Sequence, residues 1–231
     1  MGVEILVSLC GSLALFGVIL YAVGDVFLLA GKAQIADYPK LQAHAKLLSG
    51  AEKMAALPAW RLLWGGLLGV FATPLVLLGF AQIFIGLSPA GYAAALPPAI
   101  LFGCATIIGA FVHGSFIYMG EYVQALNKVS DDSQPVILDM FMRHRKIMVA
   151  TYGFLLISII VASVWFSVVV AMGNTAFPQW MAAVNPISMF MVWLVVKKIS
   201  PKVIVENTEG AGFNIAYLLF FIFTTTTLWN G

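Results

Sequence analysis

The sequence predicts an all-α, polytopic bundle of transmembrane helices, and three observations carry that reading. Of 231 residues, 61% are hydrophobic and only 10% are charged, with a mean hydropathy of +0.98; a soluble domain carries about 25% charged residues. Apolar runs of about 20 residues, the length that crosses a bilayer, recur along the chain. All 12 Lys and Arg residues fall at or near alternate loops between those runs, as the positive-inside bias requires.

Six spans are expected within one integral membrane domain covering 1–231, at 4–30, 60–87, 96–121, 147–172, 180–196 and 210–229. The first carries Glu4 where a signal peptide has its positive charges, so it reads as a retained helix. The second follows Pro58, a helix-start residue. Pro74 in the second span and Pro186 in the fifth should kink them. The sixth is a short apolar run whose start falls between Gly210 and Phe213.

The basic residues divide among three loops: Lys32, Lys40, Lys46, Lys53 and Arg61; then Lys128, Arg143, Arg145 and Lys146; then Lys197, Lys198 and Lys202. These loops should face the cytoplasm, with both termini outside an inner (plasma) membrane. In the first loop, Asp37 before Tyr38-Pro39 reads as a helix cap, and Ser49 with Glu52 fits a capping box. Two short surface helices are expected there, with Leu41, Leu48, Met54 and Leu57 dipping into the membrane. In the second loop, Ser133-Gln134-Pro135 should start a helix that continues unbroken into the fourth span.

Several functions are excluded or disfavoured. A net charge of +2 without a basic stripe offers no nucleic-acid footprint. Cys10 and Cys104 lie in apolar runs without metal or redox spacing, and read as packing residues. One histidine within a span is too few for bis-His haem, and no carboxylate spacing supports zinc, so neither a cofactor nor a metal is expected. Nucleophile-elbow and glycine-rich nucleotide motifs are absent from the sequence.

Ionisable side chains inside a span are costly and mark function by default. His113 leads, followed on the same helix by Ser115, Tyr118 and Glu121. Asp25 lies at similar depth in the first span, and Arg61, between Trp60 and Trp64, opens the second. An Asp25–Arg61 pair is chemically reasonable; a snorkelling Arg61 between interfacial indoles is equally so. Gly65, Gly66 and Gly69 read chiefly as a close-packing face. Tyr152, Asn214 and Tyr217 fall at comparable depth, with Glu206 and Glu209 beyond, while His144 reads as a solvated or headgroup-facing residue. The outer half is sparser: Asn185, Gln82 and Thr224–Thr227. The polar layer therefore occupies the inner third, the floor of a cytoplasm-facing cavity.

GlyAsp at 24–25, TrpArgLeu at 60–62 with the glycines after it, and the buried His113 resemble a family of uncharacterised bacterial six-helix integral membrane proteins. The resemblance implies a bacterial inner-membrane setting and draws attention to Asp25, Arg61 and His113. It brings no activity with it.

The favoured expectation is a site for a small hydrophobic or lipid-like molecule. His113, Asp25 and Glu121 are the acid–base candidates of an isomerase- or cyclase-type enzyme, and Arg61, Tyr118, Tyr152, Asn214 and Trp64 the binding residues. The alternatives are a small transporter gated at Pro74 and Asn185-Pro186, and a structural subunit docking a partner through its first inner loop. Membrane lipids are expected neighbours, and a homo-oligomer is compatible with the sequence.

Overall fold

The computed structural model describes residues 2–30, 34–48, 50–208 and 210–230. Lys32, Ser49 with its capping box, and Glu209 lie outside the described residues, as does the side chain of Glu4. Regular structure among the described residues is helical: α1 (Gly2–Leu29), α2 (Pro39–Gln42), α3 (Ala45–Leu48), α4 (Ala59–Leu87) and α5 (Tyr92–Lys128). After these come α6 (Gln134–Ala171), α7 (Pro186–Ile199), α8 (Lys202–Asn207) and α9 (Gly212–Asn230).

Among the described residues, five helices (α1, α4, α5, α6 and α9) are long and apolar enough to cross a membrane. The helix expected over 180–196 does not form as one piece. Gln179–Ala183 makes a 3₁₀ turn, and α7 begins afresh at Pro186 with only 14 residues, about 21 Å at 1.5 Å per residue. Pro186 therefore starts a helix and does not kink one. Asn185 Oδ1 accepts from the Ile187 and Ser188 amides at 3.0 Å each, and Ser188 Oγ accepts from the Asn185 amide at 3.0 Å. Such a cap, followed by proline at the first helical position, uses groups that would otherwise be orphaned. Pro74 does lie inside α4, which continues through it.

Turn and α7 together run antiparallel to α9 along most of its length. Trp180 meets Phe223 edge-on at 6.2 Å, Thr227 Oγ1 lies 3.8 Å from Met181 Sδ, and Phe190 stacks on Phe213 at 4.1 Å. Between α4 and α5 the chain reverses through Gly91, whose φ of +95° suits a residue without a Cβ. The α1–α4 contact is backbone to backbone: a Cβ on Gly24 would lie 2.7 Å from the Gly65 carbonyl oxygen. The expected packing role of the α4 glycines is what the structure shows.

Two cores result. The larger, between α1, α4, α5, α6 and α9, is filled by Phe80, Phe102, Phe166, Phe220 and Phe221. Within it Gln82 faces Thr225, with Nε2 and Oε1 at 3.2 and 3.3 Å from the hydroxyl. Cys10 is buried and Cys104 exposed, both as free thiols.

The second core corrects the reading of the first loop. Leu41, Leu48 and Met54 are fully buried, and Leu57 nearly so, against Leu28, Leu62, Leu126 and Phe141. They do not dip into lipid, because the lower turns of α5 and α6 present an apolar face that these side chains cover. The covering segment is tied down by polar contacts: Lys40 Nζ donates to the Val129 carbonyl at 2.7 Å, Gln124 Nε2 to the Leu57 carbonyl at 2.7 Å, and Arg145 to the Leu47 carbonyl. Asp37 is the last residue of the 3₁₀ turn Ile35–Asp37 and caps the start of that turn, not the helix after it, accepting from the Gln34 amide at 3.2 Å. As expected, α6 runs without a break from Gln134 to Ala171.

Candidate functional site

The buried stripe of α1 passes through Ala14, Val18, Tyr21, Asp25 and Leu28, the three- and four-residue spacing of one helix face. Asp25 thus points inward because it continues an apolar stripe, and it is 6% exposed. His113 occupies the equivalent stripe of α5, between Val112 and the buried Ser115, at 9% exposure. Asn214 enters from the first turn of α9.

These three meet. Asn214 Nδ2 donates to Asp25 Oδ2 at 2.6 Å, and His113 Nδ1 lies 3.7 Å from Asp25 Oδ1. The imidazole rests tilted against the Tyr21 ring, centroids 4.7 Å apart, and the Tyr21 hydroxyl is 2.6 Å from Thr73 Oγ1. Thr73 in turn donates to the Gly69 carbonyl at 3.1 Å. Helices α1, α4, α5 and α9 therefore hold one polar cluster in an apolar bundle.

The cluster opens onto a cavity of about 510 Å³. Its apolar walls include Val18, Val76, Ala105 and Ile159; Asp25, His113, Tyr152, Asn214 and Tyr217 supply polar groups, and Lys197 also lines it. Among the described residues, His113 Nδ1 and the Tyr217 hydroxyl are buried without a hydrogen-bond partner. Such groups cost roughly 1–3 kcal/mol each when left unpaired. Val149, Tyr152 and Leu194 line the cavity while remaining 59%, 39% and 36% exposed. The gap between α6 and α7 is thus open laterally.

The sequence-derived site residues divide clearly. Asp25, His113, Tyr152 and Asn214 line the cavity. Glu121, Tyr118 and Trp64 are exposed and lie outside its lining. Arg61 does not pair with Asp25. Its guanidinium donates to the carbonyls of Val26, Phe27 and Ala30 at 3.0, 3.0 and 2.6 Å, closing the C-terminal end of α1. Orphan carbonyls there attract a cation more closely than a carboxylate already held by Asn214.

His144, read as solvated or headgroup-facing, is half-buried, its ring centroid 6.0 Å from that of Tyr118 and 5.9 Å from that of Tyr122. Glu206 is exposed, 3.7 Å from Lys202. Sequence reading missed Tyr21, Thr73 and Lys197; Tyr21 stands four residues before Asp25, one turn up the same face, and that spacing was available. Among the described residues no group of three His, Cys, Asp or Glu side chains could hold a metal ion.

No curated protein and no solved structure matches the chain. A family model matches residues 6–230, and the chain belongs to that family, a family of unknown function (DUF6796).

Proposed function

We propose that this chain is a multi-pass membrane protein that holds a small hydrophobic or lipid-like molecule in its cavity, with the polar end of that molecule against Asp25, His113 and Asn214. One observation carries the reading: a mainly apolar cavity is bordered by Asp25, His113, Asn214 and Tyr217, and Oδ1 of Asp25 has no donor within hydrogen-bond distance. Ligand pockets combine apolar walls with a few convergent polar groups in this way. The lateral gap at Val149, Tyr152 and Leu194 supports entry from the bilayer.

In this reading the basic end of the bundle faces the cytoplasm, and the plasma membrane is its setting. The 3₁₀ turn and α7, antiparallel to α9, form a short sixth crossing, which leaves both termini outside. Acid–base chemistry on the bound molecule is a second reading, favoured by the 3.7 Å approach of His113 Nδ1 to Asp25 Oδ1. An isomerisation needs one group to take a proton and another to give it, and this pair supplies both.

The test is mass spectrometry of the protein purified in lipid nanodiscs. Gly109 lines the cavity, and a Cβ there would meet only Leu155 at 3.7 Å and the Tyr21 hydroxyl at 3.9 Å. Gly109→Leu should therefore occupy the cavity without breaking the bundle, and should lose a molecule that the native protein retains. Identical bound molecules in native protein, Gly109→Leu and His113→Ala would refute the binding reading.

A further inference from the structure

We infer that the occupant is a lipophilic organic cation, such as an alkylammonium, for which Asp25 is the counter-ion and the surrounding aromatic rings the cage. The inference rests on the cavity-binding reading and adds the chemical class of the ligand.

Asp25 is the one carboxylate lining the cavity among the described residues. Its Oδ2 is taken by Asn214, while Oδ1 has His113 Nδ1 at 3.7 Å and no donor within hydrogen-bond distance. A carboxylate in an apolar enclosure gains most from a cation brought against its free oxygen. The rest of the lining suits the same charge. Tyr21, Tyr152, Trp193 and Tyr217 border the cavity, and the faces of such rings attract ammonium groups; Phe190 and Phe213 border it too but stack on each other.

The opposing feature is Lys197. It lines the cavity too, but lies in the last turn of α7, four residues beyond Trp193 and at the basic end of the bundle. An anionic ligand would have to reach that lysine while keeping clear of Asp25. A cation reaches Asp25 between aromatic walls, with its alkyl chain along Val18, Val76 and Ile159.

Three probes with one tail separate the possibilities: dodecyltrimethylammonium, dodecanol and dodecanoate. Each is dialysed to equilibrium against the full chain in phosphatidylcholine nanodiscs, with empty discs subtracted. The cation should show saturable binding about tenfold tighter than the alcohol. Asp25→Asn should abolish that preference while leaving dodecanol binding in place, and Trp193→Leu should do so independently. Lys197→Gln should tighten the cation.

Dodecanoate binding most tightly, with loss in Lys197→Gln, would overturn the inference. So would equal affinity for alcohol and cation, or an unchanged preference in both Asp25→Asn and Trp193→Leu. Saturable binding of dodecanol without any preference for the cation would leave the cavity reading standing and remove only the charge. Failure of all three probes to saturate would overturn both.

Discussion

His113 packs its imidazole onto Gly69, so closely that a Cβ on Gly69 would lie 2.6 Å from His113 Nδ1. The glycine on α4 therefore sets the position of the histidine on α5. Gly69→Ala should push the ring away and destabilise the bundle by about 1–3 kcal/mol, the usual range for overpacking. Thermal unfolding in detergent measures the loss. A neighbouring control is Gly114→Ala, whose Cβ would meet only Val70 at an ordinary 3.6 Å; it should cost far less.

Arg61 gives a contrasting expectation. Its three hydrogen bonds end on main-chain carbonyls of α1. Arg61→Met should lower stability by about 1.5–3 kcal/mol, as for hydrogen bonds to a charged group. Lysine should recover only part of this, because it lacks the planar fork. Retention of the ligand should be unaffected once the variant is folded, which native mass spectrometry checks. Loss of ligand from a stably folded Arg61→Met would place this side chain in the site after all.

Gln82 and Thr225 offer a double-mutant cycle within the larger core. Each is buried and each finds the other. Gln82→Leu alone, or Thr225→Val alone, strands one polar partner and should cost about 1–3 kcal/mol. The double variant should cost less than the sum of the two. A strictly additive result would show that the contact contributes nothing.

The covering loop has its own test. Leu48 is fully buried in the second core, so Leu48→Ala should destabilise the protein by about 2–5 kcal/mol. Leu47, which is 38% exposed, should tolerate alanine with little change. Urea or thermal unfolding of the pair distinguishes a packed cover from a surface helix resting on lipid.

A reporter fused after residue 231 tests the short crossing. With α7 counted as a span, an alkaline phosphatase fusion there should be active outside the cell. A cytoplasmic C-terminus would mean that α7 turns back within the membrane.

The long helices were legible in the sequence because apolar length alone specifies them: 147–172 and its extension back to Gln134 appear as one helix in the structure. Composition could not say that Asn185 and Ser188 would cap a new helix, because a proline inside an apolar run reads equally as a kink or a start. Nor could it place Leu41, Leu48 and Met54, since an apolar side chain in an interfacial loop suits lipid or protein. Asp25, His113 and Asn214 were legible individually by the cost of burying them. Their meeting was not, because it depends on how α1, α5 and α9 are rotated against each other. Neither pairing with Asp25 nor snorkelling between indoles anticipates the partners of Arg61, because carbonyls at a helix end are invisible in a residue pattern.

One unbroken helix, α5, carries both His113 and, thirteen residues on, Leu126 of the second core. Over that distance, about 20 Å at 1.5 Å per residue, it has no joint. The histidine of the polar cluster and a leucine of the second core are thus held at a fixed spacing and rotation by one rigid element.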